Sequence, residues 1–349
     1  MNDKQWFKYD ISLPDKSSET TAQERQKILT KPAGSLGELE TIAVKLAAMQ
    51  GALRPQSTPL GIAVFAGDHG VTKEGISAFP SEVTEQMVLN FVNGGAAINV
   101  LAKRANAQLC IVNVGTKRLD NYPEPVIDRP VGYGTKNFLK ESAMTEDETL
   151  SALALGRRIM DEYLSQCQIV IGGEMGIGNT TCASALATAL GVADVSELVG
   201  PGTGLDSQGV SHKQSVIERS LRRLGKESDP LRVLAELGGY EVAALAGFYI
   251  RAAMLGVTII VDGFISSVAA LVACNLNSDI RHWMLFSHTS QEPGHSKVLE
   301  ALQADPLLSI GMRLGEGSGA VVAYDLIDTA CELHNKMATF DEAGVSDRD

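Results

Sequence analysis

The sequence has no CxxC pair, no excess of positive charge, no long apolar run and no internal repeat, and each of these absences removes a class of function. Its five cysteines, Cys110, Cys167, Cys182, Cys274 and Cys331, are scattered through mostly apolar stretches. That pattern reads as buried thiols in a reducing compartment, not as a disulfide framework. The formal net charge of −12 argues against nucleic-acid binding, because a phosphate backbone demands clustered Lys and Arg. It does not exclude a small phosphorylated ligand held by local dipoles. Without an apolar stretch long enough to span a bilayer, and without a signal-peptide pattern in Met1-Asn-Asp-Lys-Gln-Trp6, the expectation is a cytoplasmic protein with no membrane span. Hydrophobic residues at 44% and charged residues at 21% are the proportions of an ordinary globular enzyme. A length of 349 residues allows one large or two modest domains.

Residues 18–55 read as helical, with Ser35 a candidate N-cap before Leu36. Short apolar runs then alternate with helical patterns. The runs are 60–66, 108–114, 168–172, 257–261 and 283–287; the helical patterns are 81–105, 146–166, 178–190, 240–255, 264–276 and 295–303. Strands that are apolar throughout, alternating with helices, predict a three-layer α/β/α, Rossmann-like parallel sheet of five to six strands, covered on both faces. The Pro- and Gly-bearing stretch 116–145 reads as a long connection. Residues 318–340 again look helical. An α/β domain over 56–317 is therefore expected beside a small helical subdomain built from residues 1–55 and 318–349. The acidic tail 341–349 carries no readable function.

The stretch Ile171-Gly-Gly-Glu-Met-Gly-Ile-Gly-Asn-Thr-Thr181 follows an apolar run and precedes an alanine-rich helix former. Strand, glycine turn and helix start, in that order, aim backbone N–H groups and the positive end of a helix dipole at an anion. From Gly173 the spacing reads as a Walker A loop whose lysine is replaced by Asn179. One phosphate, not a triphosphate, fits that change. Glu174 lies in the same turn and would repel a phosphate unless it points at something else.

Polar and glycine residues collect after the other runs too, at Gly67-Asp68-His69-Gly70, Asp262-Gly263-Phe264 and His288-Thr289-Ser290-Gln291-Glu292. Any one of these alone reads as a turn former or a helix cap. Four together, at the carboxyl ends of parallel strands, define a shared ligand-binding edge. Asp68 and His69 suit an acid/base pair or a polar turn, and the site-lining reading is the one favoured here, as it is for Asp262 and Ser290. His288 and His295 lack helical metal-pair spacing, so no metal site is expected. Gly200-Pro-Gly-Thr-Gly-Leu-Asp206 serves equally well as a flexible connection or as a second phosphate wall, with Lys213 as the missing cation. Glycines on both sides of Glu316, in Arg313-Leu-Gly-Glu-Gly-Ser-Gly319, suggest close approach of a ligand to the backbone.

Taken together, these motifs resemble those of the nicotinate-nucleotide–dimethylbenzimidazole phosphoribosyltransferase family. The matching pieces are Lys31-Pro-Ala-Gly-Ser-Leu-Gly37, Ala66-Gly-Asp-His-Gly-Val71, Gly94-Gly-Ala-Ala-Ile-Asn99, Gly173-Glu-Met-Gly-Ile-Gly-Asn-Thr-Thr181, Gly202-Thr-Gly-Leu-Asp206, Val261-Asp-Gly-Phe-Ile265, Ser287-His-Thr-Ser-Gln-Glu-Pro-Gly-His295 and Arg313-Leu-Gly-Glu-Gly-Ser-Gly319. They recur in order over roughly residues 30 to 320. The resemblance implies transfer of 5-phosphoribosyl from nicotinate mononucleotide to 5,6-dimethylbenzimidazole, without a cofactor, by a homodimer whose partner chain lies near the site. It implies Glu316 as general base and Glu174 near the reacting centre. Gly176, Ile177, Gly178, Asn179 and Thr180, with Gly202, Thr203, Gly204 and Lys213, would hold phosphate and ribose. Phe79, Gln86, Met175 and Leu314 would pack around the benzimidazole. Acceptors such as adenine or a phenol, and a non-catalytic sensor of a phosphorylated ligand, are the competing readings.

Overall fold

The computed structural model describes residues 4–118 and 120–346. Residues 1–3 and 347–349, the extremes of the expected helical subdomain and acidic tail, lie outside the described residues, as does residue 119. Two helices come first, α1 (Lys16–Ile28) and α2 (Glu38–Gln50), then β1 (Leu60–Gly67), α3 (Glu82–Val92), α4 (Ala97–Arg104), β2 (Gln108–Gly115) and β3 (Ile127–Asp128). The middle of the chain supplies α5 (Glu146–Ile159), β4 (Ile169–Met175), α6 (Asn179–Ala189), α7 (Val195–Leu198), α8 (Ser207–Leu224), α9 (Pro230–Leu237) and α10 (Tyr240–Met254). It ends with β5 (Thr258–Val261), α11 (Phe264–Leu276), β6 (Met284–His288), α12 (His295–Ala301), β7 (Pro306–Leu308), α13 (Ser318–Lys336) and α14 (Phe340–Ala343).

All strand pairs are parallel, in the order β3-β2-β1-β4-β5-β6-β7. Every residue of β1 is buried, as a strand covered on both faces requires. One face carries α3, α4, α2 and α13; the other carries α10 and α11, with α5 and α6 packed outside them. The chain winds outward from β1 to β3, then returns to lay β4 against the other side of β1. That reversal opens a crevice between the carboxyl ends of β1 and β4, the place where doubly wound sheets bind ligands.

The three-layer parallel architecture matches the sequence expectation, with seven strands among the described residues in place of five to six. The additional strands are the edges, β3 and β7, of two and three residues. β3 falls inside the stretch read as a connection, and β7 begins with a proline. Neither is long enough to show a periodicity. The single expected helix over 18–55 is two, broken by Pro32 and by the positive φ angles of Gly34 and Gly37. The N-cap of α2 is Gly37, not Ser35. Likewise Gly94-Gly95 divides the 81–105 pattern into α3 and α4.

The N-terminal helices meet the C-terminal one. Leu29 bridges to Thr339, Arg25 donates to the His334 carbonyl at 2.8 Å, and α2 packs on α13. Yet α13 also lies on β4, β5 and β6, so these helices help to cover the sheet. All five cysteines are free thiols, and only Cys274 is not fully buried. Among the described residues no helix is long and apolar enough to cross a membrane.

Candidate active site

A cleft of about 280 Å³ lies over the carboxyl ends of β4, β5 and β6, beside the β1/β4 crevice, lined by the turn after β4, Gly202 and Thr203, residues 263–265, His288, Ser290, Glu292 and residues 313–315. β4 runs through Gly173 and Glu174 to Met175, so the Walker-like spacing begins inside a strand. Only Gly176-Ile177-Gly178 forms the turn, with Gly178 at φ +99° as the N-cap of α6. The Ile177 N–H donates to Thr84 Oγ1 and the Asn179 N–H to the Gly176 carbonyl, each at 3.1 Å. Among the described residues the N–H groups of Gly178 and Thr180 find no protein acceptor. Of the two residues Thr180 lines the cleft, and an open N–H at a helix N-terminus is suited to an anion.

Lys213 stands behind this turn. Its buried Nζ donates to Thr180 Oγ1 at 2.8 Å and to the Gly200 carbonyl at 3.3 Å. Burial lowers its pKa to about 8, against the opposing pull of the Glu292 carboxylate. Lys213 does not itself line the cleft, and its charge is presented there through the Thr180 hydroxyl. Glu292 is raised by burial and lowered by Lys213 and Arg313. Arg313 donates to the Gly202 carbonyl at 3.2 Å, tying the two walls together. Gly204 is exposed beside Thr203 and outside the lining.

At the other side of the turn, Asn179 Nδ2 donates to Glu174 Oε2. The Asn179 amide is therefore directed at the carboxyl and away from an anion. Burial, with Asp262, Glu241 and Glu316 close by, holds the Glu174 carboxyl well above the usual carboxylate range, and the Asn179 bond only partly offsets this. Glu316 sits in a left-handed turn, at φ +63° between Gly315 at +89° and Gly317 at +83°. Its Oε2 accepts the Ile98 N–H from the first turn of α4 at 3.3 Å. Burial and Asp262 raise this carboxyl, opposed by the Ile98 bond. Gly315 lines the cleft while the Glu316 side chain turns toward α4, and Oε1 carries no hydrogen bond among the described residues.

Asp262, at the end of β5, accepts Gly317 N–H at 3.2 Å and Ala320 N–H at 2.8 Å, so it caps α13 and secures the 315–317 turn. Its carboxylate also lies 3.9 Å from His288 Nδ1. His288 lines the cleft, and Ser287 Oγ is 2.9 Å from the same nitrogen. His295 is committed on both nitrogens: Nδ1 accepts the Ser290 N–H at 2.8 Å and Nε2 meets Ser267 Oγ at 2.9 Å. Burial lowers its pKa to about 3, so it braces Ser290 as a neutral ring.

Several expected site residues therefore meet in one cleft: Glu174, Met175, the 176–180 turn, Gly202, Thr203, Ser290, Phe79 and Leu314. Glu316, Asp68, His69 and Asp262 do not line it, although Gly315, the neighbour of Glu316, does. Asp68 Oδ2 accepts the Lys117 N–H at 2.8 Å, and His69 Nε2 lies 2.7 Å from Glu241 Oε1, with Gly176 and Gly178 of the turn after β4 packed against His69. Gln86 lies outside as well. Thr84, Val88 and Phe91 are the buried positions of α3, and Gln86 falls on the opposite, exposed side. The residue reading passed over His288, Glu292 and Arg313 as individual site members. Their signal is position, since His288 ends β6 and the other two lie in loops that follow or return to a strand end.

A phosphoribosyltransferase family model matches residues 11–345. The nicotinate-nucleotide–dimethylbenzimidazole phosphoribosyltransferase of Pseudomonas putida is 53% identical over 345 residues, covering 98% of each chain. The enzyme of the same name from Pseudomonas fluorescens is 52% identical, with 98% of each chain covered. The crystal structure of CobT from Thermus thermophilus superposes with a TM-score of 0.91 at 41% identity, over 95% of this chain and 100% of that one. Matched in motif order, in length and in fold, the chain belongs to the nicotinate-nucleotide–dimethylbenzimidazole phosphoribosyltransferase family.

Proposed function

We propose that the protein transfers the 5-phosphoribosyl group of nicotinate mononucleotide to 5,6-dimethylbenzimidazole, giving α-ribazole 5′-phosphate and nicotinate, a step in assembling the nucleotide loop of cobalamin. The observation that carries this reading is one cleft holding an open helix N-terminus and a buried carboxyl, Glu174, bordered by the turn that carries Glu316. The Gly178 and Thr180 N–H groups, backed by Lys213, suit the donor's phosphate. On this reading the ribose lies next to Glu174.

In the donor, C1′ is bonded to a pyridinium nitrogen. When that bond breaks, its electron pair returns to the ring and nicotinate leaves without gaining negative charge, so its departure calls for no acid. One benzimidazole nitrogen forms the new bond to C1′ from the opposite side, inverting the centre. The proton on the other nitrogen passes to Glu316, a general-base step worth about 10²–10⁴-fold in rate. Positive charge developing on the ribose is stabilised by the ionised form of Glu174. Phe79, Met175 and Leu314 offer the apolar surface that a flat, hydrophobic acceptor needs.

The reading extends to a cytoplasmic homodimer, supported by the free thiols and by exposed Phe79 and Leu314 at the cleft, which a second chain would cover. It also takes residues 1–55 and 318–349 as one helical subdomain beside a 56–317 body, supported by the contacts of α1 and α2 with α13 and its flank. The deciding experiment is to incubate the protein with nicotinate mononucleotide and a panel of bases, and to identify the products by mass. Nicotinate release that depends on dimethylbenzimidazole supports the reading. Release without a base would make the protein a hydrolase, and no reaction would favour a sensor.

A further inference from the structure

The Gly94-Gly-Ala-Ala-Ile-Asn99 turn has no part in the chemistry above, yet its geometry leads to Glu316. We infer that Asn99 is a positioning residue for Glu316, fixing the first turn of α4 so that the Ile98 N–H is delivered to the Glu316 carboxylate. This inference rests on the reading of Glu316 as general base.

One side-chain amide joins two helix ends. Asn99 Nδ2 donates to the Phe91 carbonyl near the C-terminus of α3 at 2.9 Å, and Asn99 Oδ1 accepts the Ala96 N–H at 3.1 Å. The turn between them closes tightly. Gly95 N–H donates to the Asn90 carbonyl at 3.0 Å, and a Cβ at Gly95 would collide with Asn90 Oδ1. Gly94, at φ +74°, adopts a conformation that disfavours other residues. Ile98 is fully buried, and α4 packs on α13, the helix that begins at Ser318, two residues after Glu316. Both ends of the Ile98–Glu316 contact are thereby fixed to the same framework.

The identity of the cap explains why this N–H is available. A helix N-cap is commonly Ser, Thr, Asp or Asn, whose side chain takes the N–H of the second or third helical residue. Here the cap is Ala96, which has no acceptor, and the second helical residue is Ile98. The N–H that a usual cap would occupy is given to Glu316. This matters because the other charged groups facing Glu316 are unfavourable to its ionised form. Asp262 approaches from the end of β5 and Glu174 from the end of β4, with His288 held on Asp262 from β6. The Ile98 N–H, at the positive end of α4, is the contact that favours the carboxylate.

The test compares kcat and KM against pH for the full chain and its N99A, A96S and E316Q variants, with nicotinate mononucleotide and dimethylbenzimidazole as substrates. In N99A, kcat at neutral pH is expected to fall about tenfold, a fraction of the loss expected for removing the base itself. Both KM values should stay near wild type, and the acid limb should move to higher pH. A96S supplies a cap hydroxyl that competes for the Ile98 N–H. It should leave the melting temperature unchanged or raised while moving the acid limb in the same direction. An unmoved acid limb in both variants, with E316Q still severely impaired, overturns the positioning role. Near-wild-type turnover in E316Q overturns the general-base reading instead.

Discussion

Gly173 of β4 lies against the backbone of Glu316: a Cβ at Gly173 would collide with the Glu316 carbonyl group and stand 2.7 Å from the Gly317 nitrogen. The strand that carries Glu174 on its edge thus supports, one residue earlier, the left-handed turn that carries Glu316. A non-glycine residue at positive φ costs on the order of 1 kcal/mol and persists only where its surroundings enforce it. Gly173→Ala should push the 315–317 turn off β4, reduce turnover at least tenfold and destabilise the fold by about 1–3 kcal/mol. Steady-state kinetics and thermal unfolding check this. Unchanged turnover would show that the turn's position does not depend on β4.

Glu316→Gln should retain nucleotide binding and lose about a hundredfold or more in turnover, as expected when a general base is removed. The pH dependence has a definite sign. The base acts only when ionised, and burial with Asp262 nearby raises its carboxyl above the ordinary value of 4.5. Activity should therefore fall as pH drops through a midpoint above 4.5, and the variant should lose that limb. Turnover near wild type at saturating substrate would remove Glu316 from the role.

Strand ends were the legible part of this site. The apolar runs identified β1, β2, β4, β5 and β6, and the polar residues after them converge at one sheet edge, because parallel strands all present their carboxyl ends on the same side. Local sequence could not tell which of those residues face the cleft. Asp68 and His69 follow β1, but Asp68 is taken by the Lys117 N–H and the turn after β4 packs over His69. From Gly173 onward the glycines read as a Walker-like loop, yet Gly173 is small because Glu316 crosses it, a contact between positions far apart in the chain. Gln86 lies on the exposed side of α3, and a resemblance does not say which face of a helix turns inward.

Lys213→Ala should chiefly weaken binding of nicotinate mononucleotide through its phosphate. An analogue lacking the phosphate should bind wild type and variant equally. In the wild-type protein the ammonium is lost as pH rises through about 8, so donor affinity should decline above that pH and be flatter in the variant. Bound phosphate favours the charged amine, so the decline that begins near the free protein's value continues until the higher pKa of the complex is reached. Equal loss of affinity for the donor and its phosphate-free analogue would remove Lys213 from the phosphate site.

Glu174 should release a proton when the donor binds. In the free protein, burial and the neighbouring carboxylates keep it protonated at pH values where an ordinary glutamate is ionised. The pyridinium cation, or positive charge on the ribose, favours the ionised form and lowers its pKa on binding. Protons are then expelled at any pH below the raised value and above the lowered one. Calorimetry of nicotinate mononucleotide binding in buffers of different ionisation enthalpy measures this directly. It should be run above about pH 7, where the donor phosphate, with a second pKa of about 6, is already doubly ionised. Lys213, with its pKa of about 8, takes up protons in the same range, so the informative quantity is the difference between wild type and Glu174→Gln. Greater net proton release by the wild type is the expected result. Identical proton balance in the two proteins would mean that Glu174 does not meet the cationic part of the donor, and its place beside the reacting carbon would have to be given up.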